Sequence, residues 1–167
     1  LTNLRGMYEP FNHQRKIYGF DTFEGFVNVT VEDGESHSKG DYSTDIGYEN
    51  ELSEILNNLV SSSPLSHIQK TSLVKGDASE TIKTWLQENP FVAIGMAIFD
   101  MDVYKPTRDV LEAIKPRLFK GSILVFDEFI NTSWPGETQA VDEVFGLSNL
   151  RFEHYTHQPN CAICVIE

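Results

Sequence analysis

The sequence predicts a doubly wound α/β fold, a mostly parallel sheet with an antiparallel strand at one edge. Three observations carry that expectation. Two apolar runs, 91–99 and 122–126, read as buried parallel strands, and each stops abruptly at carboxylates: Asp100 and Asp102 after the first, Asp127 and Glu128 after the second. Between them Val110, Leu111, Ile114 and Leu118 recur on one helical face that starts near Pro106 and closes at Lys120-Gly121, the length of a crossover between parallel strands. Residues 151–157 and 162–166 then alternate or run apolar, as a closing antiparallel pair would.

In chain order, residues 1–8 read as the end of a helix broken before Pro10, and 16–20 as a strand ending at Asp21-Thr22-Phe23-Glu24-Gly25. Residues 26–48 are polar, acidic and rich in Gly and Ser, with no sustained period, which marks a lid or substrate loop. Leu52, Ile55, Leu56 and Leu59 give 49–60 one apolar helical face. Residues 72–75 form a strand that stops at Gly76-Asp77. Ser79 is expected to cap a helix through Ile82, Trp85 and Leu86, which Asn89-Pro90 ends. After the second acidic strand end, 131–136 is a loop containing Trp134, and 138–145 is helical. The 167 residues read as one domain.

Lys and Arg number 13 against 25 Asp and Glu, a formal charge of −12, which argues against a nucleic-acid partner because that contact is dominated by cations. No apolar run is long enough to span a bilayer and no secretory signal is visible, so no membrane partner and a cytoplasmic location are expected. Cys161 and Cys164 have C-x-x-C spacing, but no second pair accompanies them. Residues three apart on a strand face opposite sides, so both read as inert buried thiols. His67, His154 and His157 are scattered, with no ligand spacing.

If the two acidic strands are neighbours, their carboxyl ends lie roughly 5 Å apart. That edge is where open α/β sheets bind ligands. Asp100, Asp102, Asp127 and Glu128 would repel there unless a divalent cation or a basic substrate joined them. Oxygen-only donors favour magnesium, calcium or manganese over zinc. Asp100 and Asp102 share a face in extended backbone, although Asp102 alone could simply cap the next helix. Asp21 suits a nucleotide ribose or its own turn. Asp77 suits an adenine amine or a helix cap. The Asp-x-Asp at 100–102 also fits the haloacid-dehalogenase phosphatases, but a second acidic pair after one crossover leaves no room for that family's other residues.

Tyr18 through Gly25, Lys75-Gly76-Asp77 with Glu80-Thr81, Asp100 through Tyr104 with Pro106-Thr107, Gly121 through Glu128, and Trp134-Pro135-Gly136-Glu137 with Ala140-Val141 together resemble the macrocin O-methyltransferase (TylF-type) family, over nearly the whole chain. Leu4 through Pro10 resembles its calicheamicin-pathway branch. The resemblance implies a Rossmann-like methyltransferase fold and S-adenosylmethionine as cofactor. It implies a sugar or glycosylated natural product as small-molecule substrate, often in antibiotic biosynthesis, with Mg2+ or another divalent cation assisting. Asp21, with Thr22 and Phe23, would hold the cofactor ribose; Gly76, Asp77 and Ala78 would meet adenine; Asp100 would lie beside the cofactor. Asp100, Asp127 and Glu128 would bind the metal, Asp102 would be the general base, and Tyr104 and Trp134 would face the substrate. Glu128 departs from the Asp the family often has. A homo-oligomer stays open, and a non-catalytic binding module of the same fold is the rival class. Such enzymes cradle the methionine end of the cofactor with a glycine-rich turn after their first, central strand. No G-x-G occurs in this sequence. That strand is therefore expected upstream, and the domain is expected to be N-terminally incomplete.

Overall fold

The structure is a computed structural model that describes residues 1–35 and 37–167. Its elements are α1 (Thr2–Tyr8), β1 (Ile17–Asp21), α2 (Tyr48–Ser61), β2 (Thr71–Lys75), α3 (Ala78–Glu88), β3 (Met96–Phe99), α4 (Tyr104–Ile114), β4 (Ile123–Phe126), α5 (Gly136–Phe145), β5 (Phe152–Tyr155) and β6 (Gln158–Val165). The α/β class is as predicted. The strands form two separate sheets, β1-β2 and β3-β4-β6-β5. β1 pairs with β2 and β3 with β4 in parallel, whereas β6 runs antiparallel to both β4 and β5. Among the described residues parallel and antiparallel ladders are thus equal in number, rather than mostly parallel.

The core lies between the four-stranded sheet and helices α3, α4 and α5. Leu124 and Phe126 alternate inward from β4 and are fully buried, as are Ala162 and Cys164 of the adjoining β6. Leu111 and Ile114 of α4 and Ala140 and Val141 of α5 cover them. Phe126 stacks on Phe99 with ring centroids 5.0 Å apart, which ties β4 to β3 beyond their ladder. Trp85 of α3 reaches the other sheet, edge-on to Tyr18 at 4.8 Å and to Phe20 at 5.8 Å.

Several expectations shift. Residues 91–95 are a loop, not the first half of a buried strand. The Val92 amide donates to Asn89 O in the turn after α3, the Ile94 amide donates to Arg117 O, and Ser122 Oγ donates to Ile94 O, so this backbone is satisfied away from any ladder. β3 is not buried on both faces: Met96 and Ile98 are about half exposed. Asp77, not Ser79, caps α3, its Oδ1 accepting from the Ser79 amide at 2.9 Å. α4 ends at Ile114 in a 3-10 turn, Lys115–Arg117, leaving Leu118 outside the helix. Within 26–48 a 3-10 turn, Val31–Asp33, docks on the body of the protein. Cys161 and Cys164 are free, and burial raises both thiols. No helix among the described residues is long and apolar enough to cross a membrane.

Candidate active site

A cavity of about 240 Å³ opens at the carboxyl ends of the parallel strands, on both sheets at once. β1 contributes Phe20 and Asp21, with Thr22 just after; the β2 end contributes Gly76, Asp77 and Ala78; the β3 end contributes Asp100, Met101 and Asp102. The segment 25–28 and Tyr42 close it from the lid side. Most of the residues expected to hold a cofactor therefore meet in one place. Phe23 is absent from the lining; its amide donates to Asp21 Oδ1 at 2.7 Å, and its φ is +60°. Asp21 thus combines both readings, holding its own turn and bordering the cavity. Asp77 does likewise: one oxygen caps α3, and the other accepts from the Asn28 side chain of the lid.

The acids repel as the sequence suggested. Burial raises Asp100 above the usual carboxylate range, and Asp127, Glu128 and Asp21 add to it. Asp102 is pushed up to about 6 by burial, then by Asp100, Glu128 and Asp127, with His37 pulling it back. Asp102 does not share an extended strand with Asp100. Its φ is +58°, and the Val103 amide turns back to Met101 O at 2.6 Å. Nor does it cap α4, whose N-cap is Val103.

The oxygen-only donor set suits a hard divalent cation, but its side chains are not assembled. Among the described residues no group of three His, Cys, Asp or Glu is placed to hold a metal ion. Glu128 is turned aside, accepting from Asn131 and, at 3.2 Å, from Asn160. In this arrangement Asp100, Asp127 and Glu128 do not form a ligand shell.

Tyr104 is buried and its hydroxyl donates to Glu143 of α5, away from the cavity lining. Trp134 stacks on His37 with centroids 3.6 Å apart and lies 6.0 Å from both Phe26 and Tyr42, two residues that line the cavity. His37 Nε2 also lies 2.8 Å from Ser133 O. Three further participants lie outside the residues that the sequence singles out. His37 falls in the aperiodic segment 26–48. Asp33, 1% exposed, accepts from the Tyr104 amide that starts α4, a partner 71 residues away. Glu137, fully buried, accepts from the Glu128 amide at 3.3 Å. Burial pushes its carboxyl up to about 8, against the pull of the Glu128, Met101 and Asp102 amides. Glu137 falls just before the helix expected over 138–145, whereas the observed helix α5 starts at Gly136 and so places it in the first turn.

No family model matches the chain, and no curated protein matches it. Solved structures do. CalS11, a calicheamicin methyltransferase, superposes with a TM-score of 0.94 at 42% identity, over 98% of this chain and 65% of its own. The apo form of CalS11, described as a TDP-rhamnose 3'-O-methyltransferase of calicheamicin biosynthesis, gives 0.84 at 39%, over 98% and 64%. The O-methyltransferase NovP gives 0.58 at 20%, over 90% and 59%, a likeness of fold. The chain thus spans a little under two thirds of the length of the CalS11 structures. These likenesses set the phosphatase alternative aside.

Proposed function

Since the chain belongs to the TylF-like branch of S-adenosylmethionine-dependent methyltransferases, we propose that the whole protein methylates a hydroxyl of a sugar, free on a nucleotide carrier or attached to a natural product. The observation that carries this reading is the meeting of Asp21, Asp77, Asp100 and Asp102 around one cavity at the strand ends. Ligands of open α/β sheets bind there. Bound S-adenosylmethionine would supply an electrophilic methyl group on its sulfonium.

The chain's own residues divide the remaining work. Asp21 and Thr22 would take the ribose hydroxyls, and Ala78 with Asp77 the adenine, once Asn28 yields its bond to Asp77. Asp102 would receive the proton of the acceptor hydroxyl as the oxygen attacks. A group with a pKa of about 6 is mostly ionised at neutral pH, yet a stronger base than an ordinary carboxylate. Phe26, Tyr42, His37 and Trp134 would exclude water on the lid side and offer flat apolar faces to a sugar ring. A divalent cation at Asp100, Asp127 and Glu128 is part of the proposal on charge alone. It requires Glu128 to leave Asn131 and Asn160, and no step is assigned to it.

The cavity is smaller than the roughly 300–1,000 Å³ of ligand pockets. β1 and β3 both border it but share no ladder, so each keeps an unpaired edge beside it. We propose that the whole protein places a further parallel strand, with a glycine turn, between those edges, completing the cofactor site. The test is transfer of labelled methyl from S-adenosylmethionine to a panel of sugar acceptors by the full-length protein. Transfer supports the enzyme; tight S-adenosylhomocysteine binding without transfer to any acceptor supports the rival binding module.

A further inference from the structure

The two acid-bearing loops leave adjacent strands and each contains a residue in the left-handed region, Asp102 at φ +58° and Ile130 at φ +54°. Neither is glycine, so something outside each loop must hold these conformations. The first turn of α5 does so for both. Gly136 lies against the Asp102–Tyr104 backbone so closely that a Cβ there would come within 2.5 Å of the Tyr104 amide and 3.0 Å of Asp102 O. Thr138 Oγ1 accepts from the Ile130 amide at 2.7 Å. Between them Glu137 is wholly buried. Its Oε2 accepts from the Glu128 amide, while Oε1 has no hydrogen-bond partner among the described residues and the Met101 and Asp102 amides face the same carboxyl group.

We propose that Glu137 is a positioning residue that fixes the loops 100–103 and 127–130 relative to each other, and through them the spacing of Asp100, Asp102, Asp127 and Glu128. A buried carboxyl left with an unpartnered oxygen is costly, and its place is explained by where it sits: it accepts from the 127–130 loop while the helix turn that carries it packs, through Gly136, on the Asp102–Tyr104 backbone, and no ladder joins those two loops beyond Phe99 and Phe126 among the described residues. Glu137 touches neither substrate nor cofactor; it acts through the acids it spaces. This inference rests on the reading of those acids as the reacting groups.

The test uses the full-length protein with two near-isosteric substitutions. Glu137→Gln keeps an acceptor oxygen; Glu137→Met fills the space without one. Amide hydrogen exchange over 100–103 and 127–130 is read beside methyl-transfer kinetics and thermal melts. The expected result for Met is faster exchange in both loops together and a kcat lower by at least about tenfold at little-changed KM, as a misplaced reacting group gives. Gln is expected to restore both readouts towards wild type. Met and Gln behaving alike in exchange would overturn the proposal, whether both are silent or both damaging. If the wild type transfers no methyl group, the enzyme reading fails by itself, while the exchange comparison still decides the positioning role.

Discussion

The two-stranded and four-stranded sheets end at the same cavity but are built differently. β4 and β6 contribute Leu124, Phe126, Ala162 and Cys164 to the core at 0% exposure. In β1 no residue is buried, and in β2 only Thr71 is. The four-stranded part carries Asp100, Asp102, Asp127 and Glu128 on a packed foundation. The two-stranded part carries Asp21 and Asp77 on strands anchored to the core chiefly through Trp85. The difference matches the proposed roles: the acids proposed to react stand on the dense half, and Asp21 and Asp77, proposed to hold the cofactor, stand on the half that depends more on its neighbours.

The largest expected effect breaks or supports that division directly. Asp102→Asn removes the proposed base and should lower kcat roughly 10²–10⁴-fold, while calorimetric affinity for S-adenosylhomocysteine stays close to wild type. Asp21→Ala should do the reverse, weakening that affinity roughly tenfold or more with kcat at saturation largely kept. Equal losses of both quantities in both variants would dissolve the distinction.

Stability should divide the same way. Phe126→Ala removes a ring packed between Phe99 and Phe129 and is expected to cost about 3–5 kcal/mol in denaturant unfolding. Phe20→Ala, at a half-buried position on β1, should cost about 1–1.5 kcal/mol, half the transfer energy of a buried ring. Asp33→Ala leaves the Tyr104 and Thr30 amides without their acceptor. It should cost about 1–3 kcal/mol and release the lid, seen as faster proteolysis within 26–48.

The smallest effect is in pH. Asp102 must be ionised to accept a proton, so kcat/KM should rise with pH through about 6. Folding stability moves the other way. Between the ordinary value of 3.8 and about 6 the folded protein holds a proton that the unfolded chain has released, so this stabilisation is lost as pH climbs through that range. Asp102→Asn should flatten the pH–rate profile and remove the Asp102 share of the stability dependence, while pH-dependent melts keep the fall in stability between 4.5 and about 8 that buried Glu137 contributes.

The strand ends were legible because an apolar run that stops at a carboxylate needs no tertiary information: β1, β2, β3 and β4 were each located by it, and with them Asp21, Asp77, Asp100 and Asp127. The same rule misread 91–95, whose apolar residues sit in a turn where the Asn89 and Arg117 carbonyls, not a strand, satisfy the backbone. It also placed Asp102 in extended backbone, where the packing of Gly136 against its carbonyl accompanies a left-handed turn. Asp33 and Glu137 were illegible because their partners are distant in sequence or lie on backbone amides. A buried acid looks, in a sequence this acidic, like any surface acid.

The most direct measurement is transfer of labelled methyl from S-adenosylmethionine by the full-length protein to a panel of nucleotide sugars and glycosylated acceptors, with Asp102→Asn beside it. Label in a sugar hydroxyl, lost in the variant while S-adenosylhomocysteine still binds, is the expected result. Transfer undiminished in Asp102→Asn would contradict the role assigned to the acids at the strand ends, and label found on any group other than a hydroxyl would contradict the proposed chemistry.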